Sequence, residues 1–156
     1  MISTKVDTKL DLRGLGNLAK RLTTLARTKA EVGFFQGDAY DDGTPVAQVA
    51  AYNEYGTRFH PQRPFMQETL ENKTNLQAII KLMKQAARAS ILNTGGARSL
   101  MQLLGKLVAD EIKVTIANYP GHNSPQTIAT KGFDRPLFDT GKMLESVRFR
   151  IPGAVV

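Results

Sequence analysis

The residues able to do chemistry are few, and their spacing decides how each is read. Asp139-Thr140-Gly141 follows Leu137-Phe138, a triplet that in a dimer can bring two aspartates together to share a proton. That chemistry also needs a flap and a second apolar-glycine segment behind the aspartate, and little sequence follows Gly141. Glu54, next to Tyr55 and Gly56, resembles a lone catalytic acid but lacks a partner carboxylate at a definite position, so a capping or surface role needs fewer assumptions. His60 and His122 are the two histidines; neither has a second imidazole or carboxylate at ligand spacing, which favours exposed loop residues over metal ligands. Asp38, Asp41 and Asp42 crowd Gly43 but miss the alternate positions and terminal glutamate of a calcium loop. Gly141-Lys142 fails as a phosphate loop, because Met143 stands where a magnesium-binding hydroxyl is needed and no glycine lies five positions before Gly141. These patterns assign no catalytic residue, no metal and no cofactor. A hydrolase or toxin using Glu54 or Asp139 is the enzymatic alternative.

A third group mixes rings and cations. Tyr52, Tyr55, Phe59 and Phe65 are interrupted by Arg58 and Arg63, a mixture that suits either stacking on single-stranded nucleic acid or a protein interface rich in aromatic and arginine side chains. Arg63 sits between Pro61 and Pro64 and has little backbone freedom to lose on binding. The core and interface reading of these rings is the simpler one.

The elements that must position these residues follow from periodicity. Leu15, Leu18, Leu22 and Leu25 recur at helical spacing and predict an amphipathic helix over 12–28, with Asp11 as a cap. Ala30 to Gln36 reads as a short strand and 37–43 as a polar loop. Thr44-Pro45 starts a helix that Gly56 ends. A long helix is predicted from Phe65 to Ile91, with the stripe Leu76, Ile79, Ile80, Met83 and Ala87, and another through Leu100, Leu104, Leu107 and Ile112 to Asn118. Residues 119–132, rich in proline, glycine and serine, read as a mobile interface loop. Glu145, Val147, Phe149 and Ile151 alternate with Ser146, Arg148 and Arg150 as a final strand. The expected fold is α+β, a single domain over 1–156 with an N-terminal arm at 1–11 and three main helices packed with a small antiparallel sheet.

Composition narrows the class. The chain of 156 residues is 42% hydrophobic and has no cysteine, which excludes disulfide stapling, thiolate catalysis and cysteine metal sites. Its start lacks the apolar run of a signal peptide and no stretch is long enough to span a bilayer, so synthesis and folding in a cytoplasm are expected. The formal charge of +7 would steer the protein toward nucleic acid or an acidic protein surface, and a basic nucleic-acid-binding module is the second alternative. The basic residues form no dense tract.

Two blocks carry a resemblance. Val46-Ala47-Gln48-Val49-Ala50-Ala51-Tyr52-Asn53-Glu54-Tyr55-Gly56-Thr57 with Pro61-Gln62-Arg63-Pro64-Phe65-Met66, and later Asn123-Ser124-Pro125-Gln126-Thr127-Ile128, Lys131-Gly132 and Pro136-Leu137-Phe138-Asp139-Thr140-Gly141-Lys142-Met143, resemble the signatures of phage neck and tail-completion proteins, the HK97-type tail-component family and its morphogenesis relatives. The likeness covers about residues 30 to 151 with the order of both blocks retained. It implies a small α+β structural subunit in the virion neck, assembled in the host cytoplasm into a ring of six or twelve copies. Implied neighbours are connector, head-closure or tail-terminator proteins, with packaged DNA close by and no membrane. Asn53, Glu54, Tyr55, Gly56, Pro136, Leu137, Asp139, Thr140 and Gly141 form its structural motif. Arg58, Arg63, Pro64, Phe65, His122, Lys131 and Arg135 are the candidate protein interface.

Overall fold

The computed structural model describes residues 13–92 and 96–152; the expected arm at 1–11 and the Asp11 cap lie outside them. Helix α1 (Arg13–Arg27) leads into strand β1 (Glu31–Phe34), and α2 (Val46–Tyr55), α3 (Phe65–Glu71), α4 (Lys73–Leu92) and α5 (Ala97–Ala117) follow. Two short helices, α6 (Pro125–Lys131) and α7 (Lys142–Glu145), precede strand β2 (Val147–Arg150). The class is α+β, mostly helical, with seven helices and a two-stranded antiparallel sheet among the described residues.

The sheet joins the ends of the chain. Val32 pairs with Phe149 and Phe34 with Val147, so the apolar face of each strand meets the same core. Arg148 and Arg150 point outward as the alternation predicts, and Arg150 Nε reaches Glu31 Oε2 at 2.6 Å across the ladder. Helix α5 runs through the centre: Ala109, Ile112 and Ile116 pack against Val46 and Ala50 of α2, Phe65 of α3, Met143 of α7, and Leu137 and Val147. Phe34 meets Phe65 edge-on with ring centroids 6.1 Å apart. Gly105 lets α5 approach β2, since a Cβ there would lie 2.6 Å from the Phe149 ring.

Three sequence expectations change. The long helix expected from Phe65 to Ile91 is broken at Asn72, whose extended ψ of 123° separates α3 from α4. Its side-chain oxygen accepts from the amides of Thr74 and Asn75 and starts a new helix, the work of an N-cap residue. The stripe on that helix is only partly turned inward: Ile79 and Ala87 are half-buried, Leu76, Ile80 and Met83 are exposed, and Ala86 is the buried residue of α4. Small residues fit against neighbouring α5 and α1 where large ones would hold the helices apart. The third change lies in 119–132, read as a loop but containing α6. Ser124 Oγ accepts from the Thr127 amide, Pro125 fills the first helical position and Gly132 ends the helix at φ 80°. The 37–43 segment is a tight turn closed by an Ala39–Pro45 bridge, with Asp42 accepting from the Thr44 amide. Helix α2 begins one residue later than the Thr44-Pro45 pattern suggests, with no side-chain cap.

Candidate functional site

The two signature blocks, distant in sequence, form the walls of one cleft of about 720 Å³. Val49, Tyr52, Asn53 and the 59–63 segment supply one wall; residues 122–127, Lys131 and Pro136 supply the other. No Asp or Glu is among the described residues that line it, while Arg63, Lys131, His60 and His122 do. Arg63 and Lys131 thus bring cationic donors to the cleft, with Tyr52 and Phe59 as its rings.

The first wall is held from beneath. Asn53 Nδ2 donates to the Val49 carbonyl at 2.9 Å, and the Asn53 carbonyl accepts from the Arg63 amide at 2.7 Å. Glu54 is buried, and its two carboxylate oxygens accept from the amides of Met66 and Gln67 at 2.9 and 3.0 Å. Two helices are thus locked together by one side chain, because the first amides of α3 have no partner within the helix. Gly56 turns the chain at φ 72°, where a Cβ would press on the Gln62 backbone at 3.0 Å. Tyr55 does not enter the core; it is 76% exposed. Phe59 is 81% exposed with the Arg58 guanidinium over its ring. Phe65, assigned from sequence to a protein interface, has 0% exposure and belongs to the chain's own core; Pro64, just before it, is half-buried at the start of α3.

The second wall is organised by Asp134, which the sequence did not single out. Its carboxylate accepts from the Asn123 amide at 2.7 Å and lies 2.6 Å from His122 Nδ1. The Asn123 amide first, and His122 second, hold the Asp134 carboxyl below its ordinary range. Asn123 is buried, and its side-chain Nδ2 finds no partner among the described residues. Lys131 and Arg135, both assigned from sequence to the candidate interface, are engaged within the chain. Lys131 Nζ donates to the Phe138 carbonyl at 2.6 Å, and burial lowers its pKa. Arg135 donates to the Ala117 carbonyl at 2.7 Å and lies over the Phe138 ring at 4.0 Å. These contacts fix the 133–138 turn against the end of α5.

Asp139 and Thr140 are exposed beside the buried Gly141. Thr140 Oγ1 accepts from the Lys142 amide at 3.3 Å, and Gly141, at φ 85°, begins α7. Asp139 lines a shallower recess with Tyr40, Asp42 and Lys131. Glu54 and Asp139 are therefore in different surroundings, one spent on backbone amides and the other at the surface. No group of three or more His, Asp or Glu able to hold a metal occurs among the described residues. Sequence reading missed Asp134 because its bond to the Asn123 amide joins positions eleven apart across α6, a separation that no local spacing rule identifies.

No protein family, curated protein or solved structure matches this chain.

Proposed function

We propose that the chain is a structural subunit of a tailed-phage virion, forming a ring in the neck where head and tail are joined. The observation that carries this reading is that the two blocks resembling neck and tail-completion proteins converge on one cleft. A surface built from both blocks gives the two a shared use in one fold. The engagement of both Glu54 oxygens by helix amides supports a structural use of that residue over acid catalysis. Rigid Arg63 and the exposed Phe59 with Arg58 suit contact with a neighbouring protein in a ring, where repeated heterologous contacts close around an axis. Six or twelve copies fit this role, with connector, head-closure or tail-terminator proteins above and below, the finer arrangement of three main helices and a small sheet serving as the ring's building block. Reconstruction of the neck in purified particles tests the proposal, with density for this chain expected between head and tail. Abundance of the chain in infected lysate together with its absence from purified particles would overturn it.

A further inference from the structure

The charge of the molecule is not spread evenly. Helices α1 and α4 together carry eight Lys and Arg residues and no Asp or Glu. The whole chain has 21 basic and 14 acidic residues, so the remainder, thirteen against fourteen, is close to neutral. The net charge of the protein thus resides on two helices that pack on each other beside the core. The α4 cations make no ion pair among the described residues, where the ion pairs join Lys106 to Asp110, His122 to Asp134, Arg148 to Asp38 and Arg150 to Glu31.

The same helix leaves apolar area in water. Leu76, Ile80, Met83 and Ile91 are 40 to 53% exposed, and at 100° per residue they fall within about 80° of arc along roughly 22 Å of helix. Lys73, Lys84, Arg88 and Lys81 occupy the next arc of about 80°. A recess of about 450 Å³ follows this boundary, lined by Ile80, Lys81, Lys84 and Arg88 with Gln77 and Gln85. The third side of α4, with Ala78, Leu82 and Ala86, is turned inward.

We propose that this face of α4 is a docking surface for an acidic amphipathic helix of a partner protein. A continuous aliphatic stripe asks for apolar side chains at matching helical spacing, and the cations along one edge ask for carboxylates beside them. Nucleic acid fits less well: its phosphates would satisfy the cations and leave the stripe in water, and neither helix carries an aromatic ring on which bases could stack. A bilayer surface favours an interfacial helix with aromatic anchors and cations on both flanks, whereas here one flank is packed inside the protein. A second copy of the same face is opposed by its own unpaired charge.

The test uses the full chain and a labelled designed helical peptide of about twenty residues, with leucines at three- and four-residue spacing and glutamates along one edge. Fluorescence anisotropy is expected to show saturable, salt-sensitive binding that a scrambled peptide of the same composition weakens about tenfold or more. Met83→Glu, an exposed substitution, should reduce binding by a similar factor with unchanged circular dichroism. Lys84→Glu combined with Arg88→Glu should lose the glutamate peptide and gain the matching lysine peptide. Equal binding of the scrambled peptide, tighter binding of duplex DNA or of phosphatidylglycerol vesicles, or an oligomer of the chain that Met83→Glu dissociates would overturn the proposal.

Discussion

Replacing Glu54 tests whether one side chain joins α2 to α3 and supports the floor of the cleft. Glu54→Ala leaves the amides of Met66 and Gln67, now bonded at 2.9 and 3.0 Å, without protein acceptors in a partly buried site. A hydrogen bond to a charged group contributes about 1.5–3 kcal/mol, and two bonds to one carboxylate are less than additive, so a loss of about 3 kcal/mol follows. For a chain of this length each kcal/mol lowers Tm by about 2–4 °C, giving a drop of roughly 6–12 °C. Glu54→Gln keeps one oxygen but turns an amide N–H2 toward the second backbone N–H, so its cost should be about half, near 1.5 kcal/mol. Glu145→Gln, at an exposed position, is the control and should move stability by no more than about 0.5 kcal/mol. Urea unfolding followed by circular dichroism measures all three. An Ala variant as stable as the parent, or a Gln variant as damaged as Ala, would refute the capping account.

Three further outcomes follow from named contacts. Because the folded pKa of Asp134 lies below the ordinary 3.8, its contribution is present above that value and lost as pH falls through the folded pKa; Asp134→Asn should therefore flatten the acid limb of a urea-midpoint against pH curve, and an unchanged limb would count against the His122–Asp134–Asn123 arrangement. Tyr119 donates to Glu68 Oε1 at 3.1 Å, and burial first, then this bond, pushes its pKa up to about 12 from 10.0; the stabilisation is present below 10.0 and lost as pH rises toward 12, so Tyr119→Phe should lessen the alkaline loss and remove a tyrosinate that appears near pH 12 in ultraviolet titration. Gly105→Ala gains about 1 kcal/mol of helix propensity but forces a Cβ to 2.6 Å from the Phe149 ring, an overpacking cost of about 1–3 kcal/mol; a net loss is expected, relieved in the Gly105→Ala, Phe149→Leu double variant, and a stabilised single variant would contradict the close approach of α5 to β2.

What could be read before the structure was the part that local rules govern. Strand alternation in the 140s and the Gly56 stop each depend on a few adjacent residues; Gly56 ends α2 as expected, and the strand appears as Val147–Arg150, with Glu145 of the expected run ending α7 instead. The helix from Phe65 lost its continuity because a single Asn72 can serve as the end of one helix and the cap of the next, a choice that Thr69, Asn75 and Thr115 settle by tertiary bonds. The 119–132 segment was judged by its proline and glycine content, although Ser124-Pro125 is also a helix start and Gly132 a helix stop. At the site, Arg63 and Lys131 were legible as cations but their different fates were not. Lys131 is drawn inward by the Phe138 carbonyl, a partner seven residues away that no spacing rule identifies.

The apolar stripe of α4 shows why periodicity finds an amphipathic helix more surely than it finds the inside of a protein. Leu76, Ile80 and Met83 share one arc, and a single-chain reading turns that arc toward the core because burying it is the largest gain on offer. The folded chain instead packs the arc containing Ala78, Leu82 and Ala86, where small side chains let α4 lie close to α5 and α1. Large aliphatic residues then remain in water along a helix whose neighbouring arc holds all four of its cations. A subunit that never met a partner would gain from polar substitutions at Leu76 or Met83, since exposed aliphatic area invites association. The stripe is thus understandable as surface reserved for another chain. Its position on α4, a helix that contributes none of the residues lining the cleft, keeps the proposed docking surface apart from the cleft, so that the proposed neck role has one face for each of two neighbours.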